Sequence, residues 1–152
     1  YLPEGKEVSI PARVVRLSDD MLEFAEEPKP VVIVDEEGKP LTADNPYRFF
    51  EASWMHKYNG KYYFTYSTGD THYLCYAIGD NPYGPFTYKG VILTPVVGWT
   101  THHSIVEFGG KWWLFHHDSV PSGGKTWLRS LKVGELKYNE DGTIQTIEGL
   151  DE

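Results

Sequence analysis

The sequence predicts an all-β protein built from blade-sized units of a β-propeller, about two blades plus one strand of an earlier one. Three observations predict it. Two aromatic-rich runs, 50–57 and 61–68, flank Asn59-Gly60, and Asn-Gly between two such runs is a strong hairpin signal. The pattern then returns: Gly60-Lys61 overlays Gly110-Lys111, Tyr62-Tyr63-Phe64 overlays Trp112-Trp113-Leu114, and Tyr58 overlays Phe108. A repeat of about 50 residues made of short strands and glycine turns is one propeller blade in size. Finally, no stretch of roughly ten residues carries helical periodicity.

Composition narrows the function. The 152 residues hold 40% hydrophobic side chains and 15% aromatics: eleven Tyr, seven Phe and five Trp. That length suits one domain. A net charge of −8 argues against nucleic acid, which calls for a basic surface. It suits a neutral ligand such as a sugar. No apolar run approaches the ~20 residues that span a bilayer, so no membrane partner is expected. The single cysteine, Cys75, excludes an internal disulfide and reads as a buried, inert thiol. It does not fix the compartment; the expectation is a secreted or periplasmic one. No leader is visible, and a chain starting at Tyr1 is expected to be processed or cut.

Taken in order, residues 1–46 read as the end of an earlier blade with its connecting loops. Residues 1–11 are polar, with Pro3, Gly5 and Pro11. Arg13–Leu17 alternates as a short strand, Ser18-Asp19-Asp20 turns, and Met21–Phe24 is a brief strand or helical turn. Pro28, Pro30, Gly38, Pro40 and Pro46 mark loops around a short strand, Val31–Val34. The first full blade covers 49–93, with strands at 50–57, 61–68, 72–79 and 86–92. Residues 80–85 form the turn before its last strand. The second blade covers 102–147, with strands at 102–108, 111–117, 126–133, and 134–138 paired to 143–147. Asn139–Gly142 closes that last hairpin.

Glu51 stands among Phe49, Phe50 and Trp54, and inside-outside alternation does not account for it. Burial in an apolar pocket raises a carboxyl pKa because the charged form loses hydration, which suits a general acid. The alternative is a structural Glu paired with Arg48. His102 and His103 open the innermost strand of the second blade, the strand that lines a propeller channel. There a histidine ligates a metal, orders water, or is simply hydrogen-bonded. The pair lacks zinc-ligand spacing. His116-His117-Asp118 ends the next strand, facing substrate or capping the strand end. Arg129 offers a fork of donors to a carboxylate or sugar hydroxyls, or lies on the surface. The tryptophans Trp54, Trp112, Trp113 and Trp127 read mainly as packing. Trp99, in the loop before the histidines, reads as a binding residue.

At Phe49-Phe50-Glu51-Ala52-Ser53-Trp54, Tyr66–His72 and Gly98–Val106, the chain resembles glycoside hydrolase family 43, the β-xylosidases and α-L-arabinofuranosidases. The turn Asp80–Phe86 is also similar, and the resemblance runs from about residue 10 to 147. It implies a five-bladed propeller with a central site. It also implies inverting hydrolysis by three carboxyls: an aspartate base, an aspartate that tunes the acid, and a glutamate acid. By motif, Glu51 resembles that acid, Arg129 the active-site arginine, and His102 the central histidine that holds a calcium ion or a water cluster. No organic cofactor is implied. Phe50, Trp99 and His103 are candidate substrate contacts, although His103 stands where the family usually has a small residue.

Neither family aspartate has a counterpart in residues 1–46. The expectation is therefore a C-terminal portion that carries the acid but not the base. Its expected partners are a pentose-containing carbohydrate and the missing N-terminal half of the propeller. Two rival readings are a non-catalytic carbohydrate-binding propeller and a kelch-like interaction propeller. The second has no use for Glu51, His102 and Arg129 in one channel.

Overall fold

The computed structural model describes residues 8–99 and 101–150. The described residues form ten strands: β1 (Arg13–Val14), β2 (Lys29–Pro30), β3 (Ile33–Val34), β4 (Glu51–Tyr58), β5 (Lys61–Ser67), β6 (Leu74–Gly79), β7 (Phe86–Leu93), β8 (Ser104–Phe108), β9 (Lys111–Asp118) and β10 (Ser130–Leu136). The described residues contain no α-helix, only a 3₁₀ turn at Val120–Ser122. No helix among them is long and apolar enough to cross a membrane. The all-β expectation is met.

Two sheets dominate. One has five strands in the order β3-β7-β6-β5-β4, and the other three in the order β10-β9-β8. The repeat read from the sequence corresponds to two matching hairpins. In the first, Tyr58 pairs with Lys61 across Asn59-Gly60; in the second, Phe108 pairs with Lys111 across Gly109-Gly110. All four turn residues have positive φ (45° and 79°, 62° and 75°). This is the geometry of a two-residue hairpin turn whose twist matches its strands, and it explains the Asn-Gly and Gly-Gly choices.

Two cores sandwich the five-stranded sheet. Tyr63, Leu74, Tyr76, Ile92, Leu93 and Val96 pack on Ile105, Leu114, Leu136 and Ile144 and join the two sheets. On the opposite face, Phe64, Tyr66, Cys75, Ala77 and Phe86 pack on Ala12, Val31, Ile33 and Leu41. Successive residues of β5 and β6 alternate between these cores, so both strands are apolar on both faces. Cys75 is fully buried, and burial pushes its thiol up to about 12, as expected of an inert thiol.

Four details differ from the sequence reading. The segments 126–133 and 134–138 do not form separate strands. β10 runs unbroken through both, and Thr126–Leu128 belong to a turn in which the Leu128 N–H donates to the Lys125 carbonyl at 2.8 Å. What remains of the expected last hairpin is a bridge between Tyr138 and Ile144. β8 starts at Ser104, so His102 and His103 precede it. In the N-terminal stretch, β3 adds to the first sheet in parallel, Ile33 opposite Phe86. β1 pairs with β2.

Candidate active site

Glu51 opens β4, where it pairs with Ser67, and the Phe50 N–H donates to the Ser67 carbonyl at 3.0 Å. The next pair along the ladder is Trp54 with Thr65. Ala52 and Ser53 therefore oppose the single residue Tyr66, which is a β-bulge. Ala52 sits at φ 57°, in the left-handed region that L-residues rarely enter. An inserted residue exchanges the two faces of a strand, which is why simple alternation does not account for Glu51.

His102 reaches Glu51 from the segment that leads into β8, with Nε2 lying 3.6 Å from Glu51 Oε1. The side chain that approaches the Glu51 carboxyl is His102, not Arg48 as the alternative had it. Since β8 has not begun at this point, ladder bonds do not hold the segment; side chains do. The Ser67 hydroxyl donates to the Thr101 carbonyl at 2.6 Å. The His102 N–H donates to His117 Nε2 at 3.1 Å. His103 Nε2 and the Thr65 hydroxyl are hydrogen-bonded at 2.6 Å. Trp54 adds a tie between the sheets, its Nε1–H donating to the Ile105 carbonyl at 3.1 Å.

Phe50, Glu51, Trp99, His102, Thr126, Trp127 and Arg129 line one open cleft of about 460 Å³. Of the residues singled out from the sequence, Glu51, His102, Arg129, Phe50 and Trp99 meet there. Arg129 arrives on the turn before β10 rather than within a strand, its Nε–H donating to the Thr126 carbonyl at 3.1 Å. Trp99 packs edge-on against His72, ring centroids 4.8 Å apart. The sequence reading treated Trp127 as packing; instead it is 75% exposed in the cleft, with Trp99 59% exposed. The turn chemistry of Ser122–Lys125 was the signal available, since a residue in a turn is freed from sheet packing.

His103 is not among the lining residues. Burial pushes its imidazole down to about 3, with His56, His102 and His116 adding to the effect. His56 is pushed down to about 4 by burial; its Nε2 and the Tyr138 hydroxyl lie 2.6 Å apart. His117 is lowered by burial first, then by Arg129, His102 and His116, with Asp118 opposing.

The donor set does not suit calcium by itself. That ion takes six to eight oxygen ligands, whereas this cleft offers one carboxylate beside an imidazole. Among the described residues no group of three or more His, Cys, Asp or Glu side chains could hold a metal. Chemically, the cleft can deliver a proton from a carboxyl, offer guanidinium donors to hydroxyls, and stack aromatic faces on a ring.

The fold and site define an all-β protein with one carboxyl among the described residues of an open, aromatic-rimmed cleft. Comparison then identifies the family: the model for glycosyl hydrolases family 43 matches residues 7–144, and the chain belongs to that family. A xylosidase/arabinosidase of Bacteroides ovatus is 80% identical over 152 residues, covering 99% of this chain and 47% of that protein. A solved β-xylosidase superposes with a TM-score of 0.94 at 74% identity, covering 99% of this chain and 47% of its own. Another is a family 43 β-xylosidase/α-arabinofuranosidase from a compost microbial metagenome, solved with xylotriose in a calcium-free form. It superposes with a TM-score of 0.93 at 64% identity, covering 96% of this chain and 45% of its own. The chain thus spans about half the length of the relatives it matches.

Proposed function

We propose that this chain supplies the general-acid side of an inverting glycoside hydrolase acting on xylose- or arabinose-containing oligosaccharides and polysaccharides. One observation carries the proposal: Glu51 is the only carboxylate among the described cleft residues, and it stands with His102, Arg129 and three aromatic side chains. Glu51 in its acid form protonates the glycosidic oxygen as the bond to the anomeric carbon breaks. Arg129 orients substrate hydroxyls and the acid, Phe50 and Trp99 border the sugar, and His102 fixes the acid's position. Any calcium ion at His102 would need further oxygen ligands, from water and from other parts of the enzyme. An inverting enzyme needs a second carboxyl about 6.5–9.5 Å from the acid to activate water on the opposite face. That base and the tuning aspartate are assigned to the rest of the enzyme.

The same reading makes residues 49–93 and 102–147 two blades of a five-bladed propeller, with 1–46 the end of an earlier blade and the connecting loops, from which β3 joins the sheet of the first. The matched hairpins support it, as do apolar side chains left exposed on the outer face of the second sheet, Val106, Phe108, Leu131 and Val133. A relative named xylosidase/arabinosidase and a neighbour holding xylotriose support a pentose substrate. The test is to supply the intact enzyme with xylobiose and aryl α-L-arabinofuranoside and to record the first-formed sugar by proton NMR. Release of α-xylose from the β-linked disaccharide is expected. Initial β-xylose, or no hydrolysis of either pentoside, would sink the reading.

A further inference from the structure

We infer that His117 is a positioning residue for the acid, acting through His102; this rests on the reading of Glu51 as the general acid. His117 lies near the end of β9, paired with Leu131 of β10, and it is not among the residues lining the cleft. Its Nε2 accepts the His102 backbone N–H at 3.1 Å. Its ring lies nearly parallel to that of His102, centroids 6.2 Å apart at 19°. It therefore holds the backbone, and lies beside the ring, of the residue whose Nε2 stands 3.6 Å from Glu51.

This hold matters because Thr101–His103 precede β8 and have no ladder partner. Ser67, the residue paired with Glu51, anchors the carbonyl of Thr101, and His117 anchors the N–H of the same peptide group, that of His102, from the opposite sheet. The two clamps tie the acid and its imidazole neighbour to two different sheets. Accepting the N–H requires a bare lone pair on Nε2, so the ring proton belongs on Nδ1. Loss of that acceptor lets His102 move relative to Glu51, and small misplacements of a catalytic group are costly.

The test uses His117→Phe, which keeps a ring but removes the acceptor, and His117→Gln, which keeps an acceptor at the end of a side chain of similar reach. In the intact enzyme, His117→Phe should lower kcat on xylobiose by roughly tenfold to hundredfold. It should leave turnover of a dinitrophenyl xyloside, whose leaving group needs no proton, within about threefold. His117→Gln should recover most of the loss. If His117→Phe does not fold, Ser67→Ala, which frees the same segment, should show the same dependence on leaving group. Equal losses on both substrates, no loss on either, or no recovery with Gln would overturn the inference. Glu51→Gln serves as the separate control: an absence of leaving-group dependence there removes the acid assignment itself, whatever His117 does.

Discussion

Glu51 opens a strand of the first sheet and His102 lies in the segment just before the second, yet their Oε1 and Nε2 atoms lie 3.6 Å apart, with the side chains 35% and 52% exposed. The pair is therefore open to substrate and solvent. The nearby bond from Trp54 to the Ile105 carbonyl holds the two sheets at that spacing.

Replacing Glu51 by Gln should leave the fold and sugar affinity intact while kcat on xylobiose falls by about 10²–10⁴-fold, the usual worth of general acid catalysis. The loss should shrink for dinitrophenyl xyloside. Steady-state kinetics on both substrates checks it; equal losses would give Glu51 another role.

The bulge at Ala52 gives a second prediction. Ala52 has φ 57°, where a β-branched side chain is strained and glycine is not. Ala52→Val should cost about 1–2 kcal/mol of stability and disturb Glu51, whereas Ala52→Gly should be close to neutral. Denaturant titration of both variants in the intact enzyme decides; a tolerated valine would show that the bulge relaxes freely.

Residues 1–152 alone should not hydrolyse a pentoside. Asp118 is buried, its Oδ2 held 3.4 Å from Lys132 Nζ, and neither it nor Asp70 lines the cleft beside Glu51. The isolated chain should also self-associate, since Phe108 and Leu131 are 77% and 76% exposed and open apolar faces drive association. Sedimentation and an aryl-pentoside assay test both; an active monomer would place a base within these residues.

Stability should fall on mild acidification. His56 and His103 are pushed by burial from 6.5 to about 4 and about 3, so the folded state disfavours their protonation. Between pH 6.5 and 4 the unfolded chain binds more protons, and stability therefore rises with pH through that window. Each histidine contributes a slope of up to about 1.4 kcal/mol per pH unit. The contribution is complete above the unfolded pKa and is lost as pH falls toward the folded one. Melting temperatures of the intact protein from pH 7.5 to 4.5 check this; a flat profile would mean that the two rings reach water.

Much of the fold was legible because its signals are local. Asn59-Gly60 and Gly109-Gly110 supply the positive φ that a two-residue hairpin demands, and the aromatic runs on either side supply the strands. The repeat was visible because each hairpin has the same local requirements. The motifs around Glu51 and His102 likewise led to the family to which the chain belongs.

The sequence by itself thus determined the two hairpins, the strands that flank them, the all-β class and the identity of the residues to watch. The tertiary structure alone decided how Glu51 is aimed, because the bulge at Ala52-Ser53 is a matter of register against β5 and not of propensity. It alone joined 126–138 differently from the expected pattern, leaving Trp127 and Arg129 on a turn that reaches the cleft. It alone put His117 behind His102. Those relationships depend on where one sheet lies against another, and that placement comes from the shared apolar core of Tyr63, Leu74, Ile105 and Leu114, to which residues far apart in the chain contribute together.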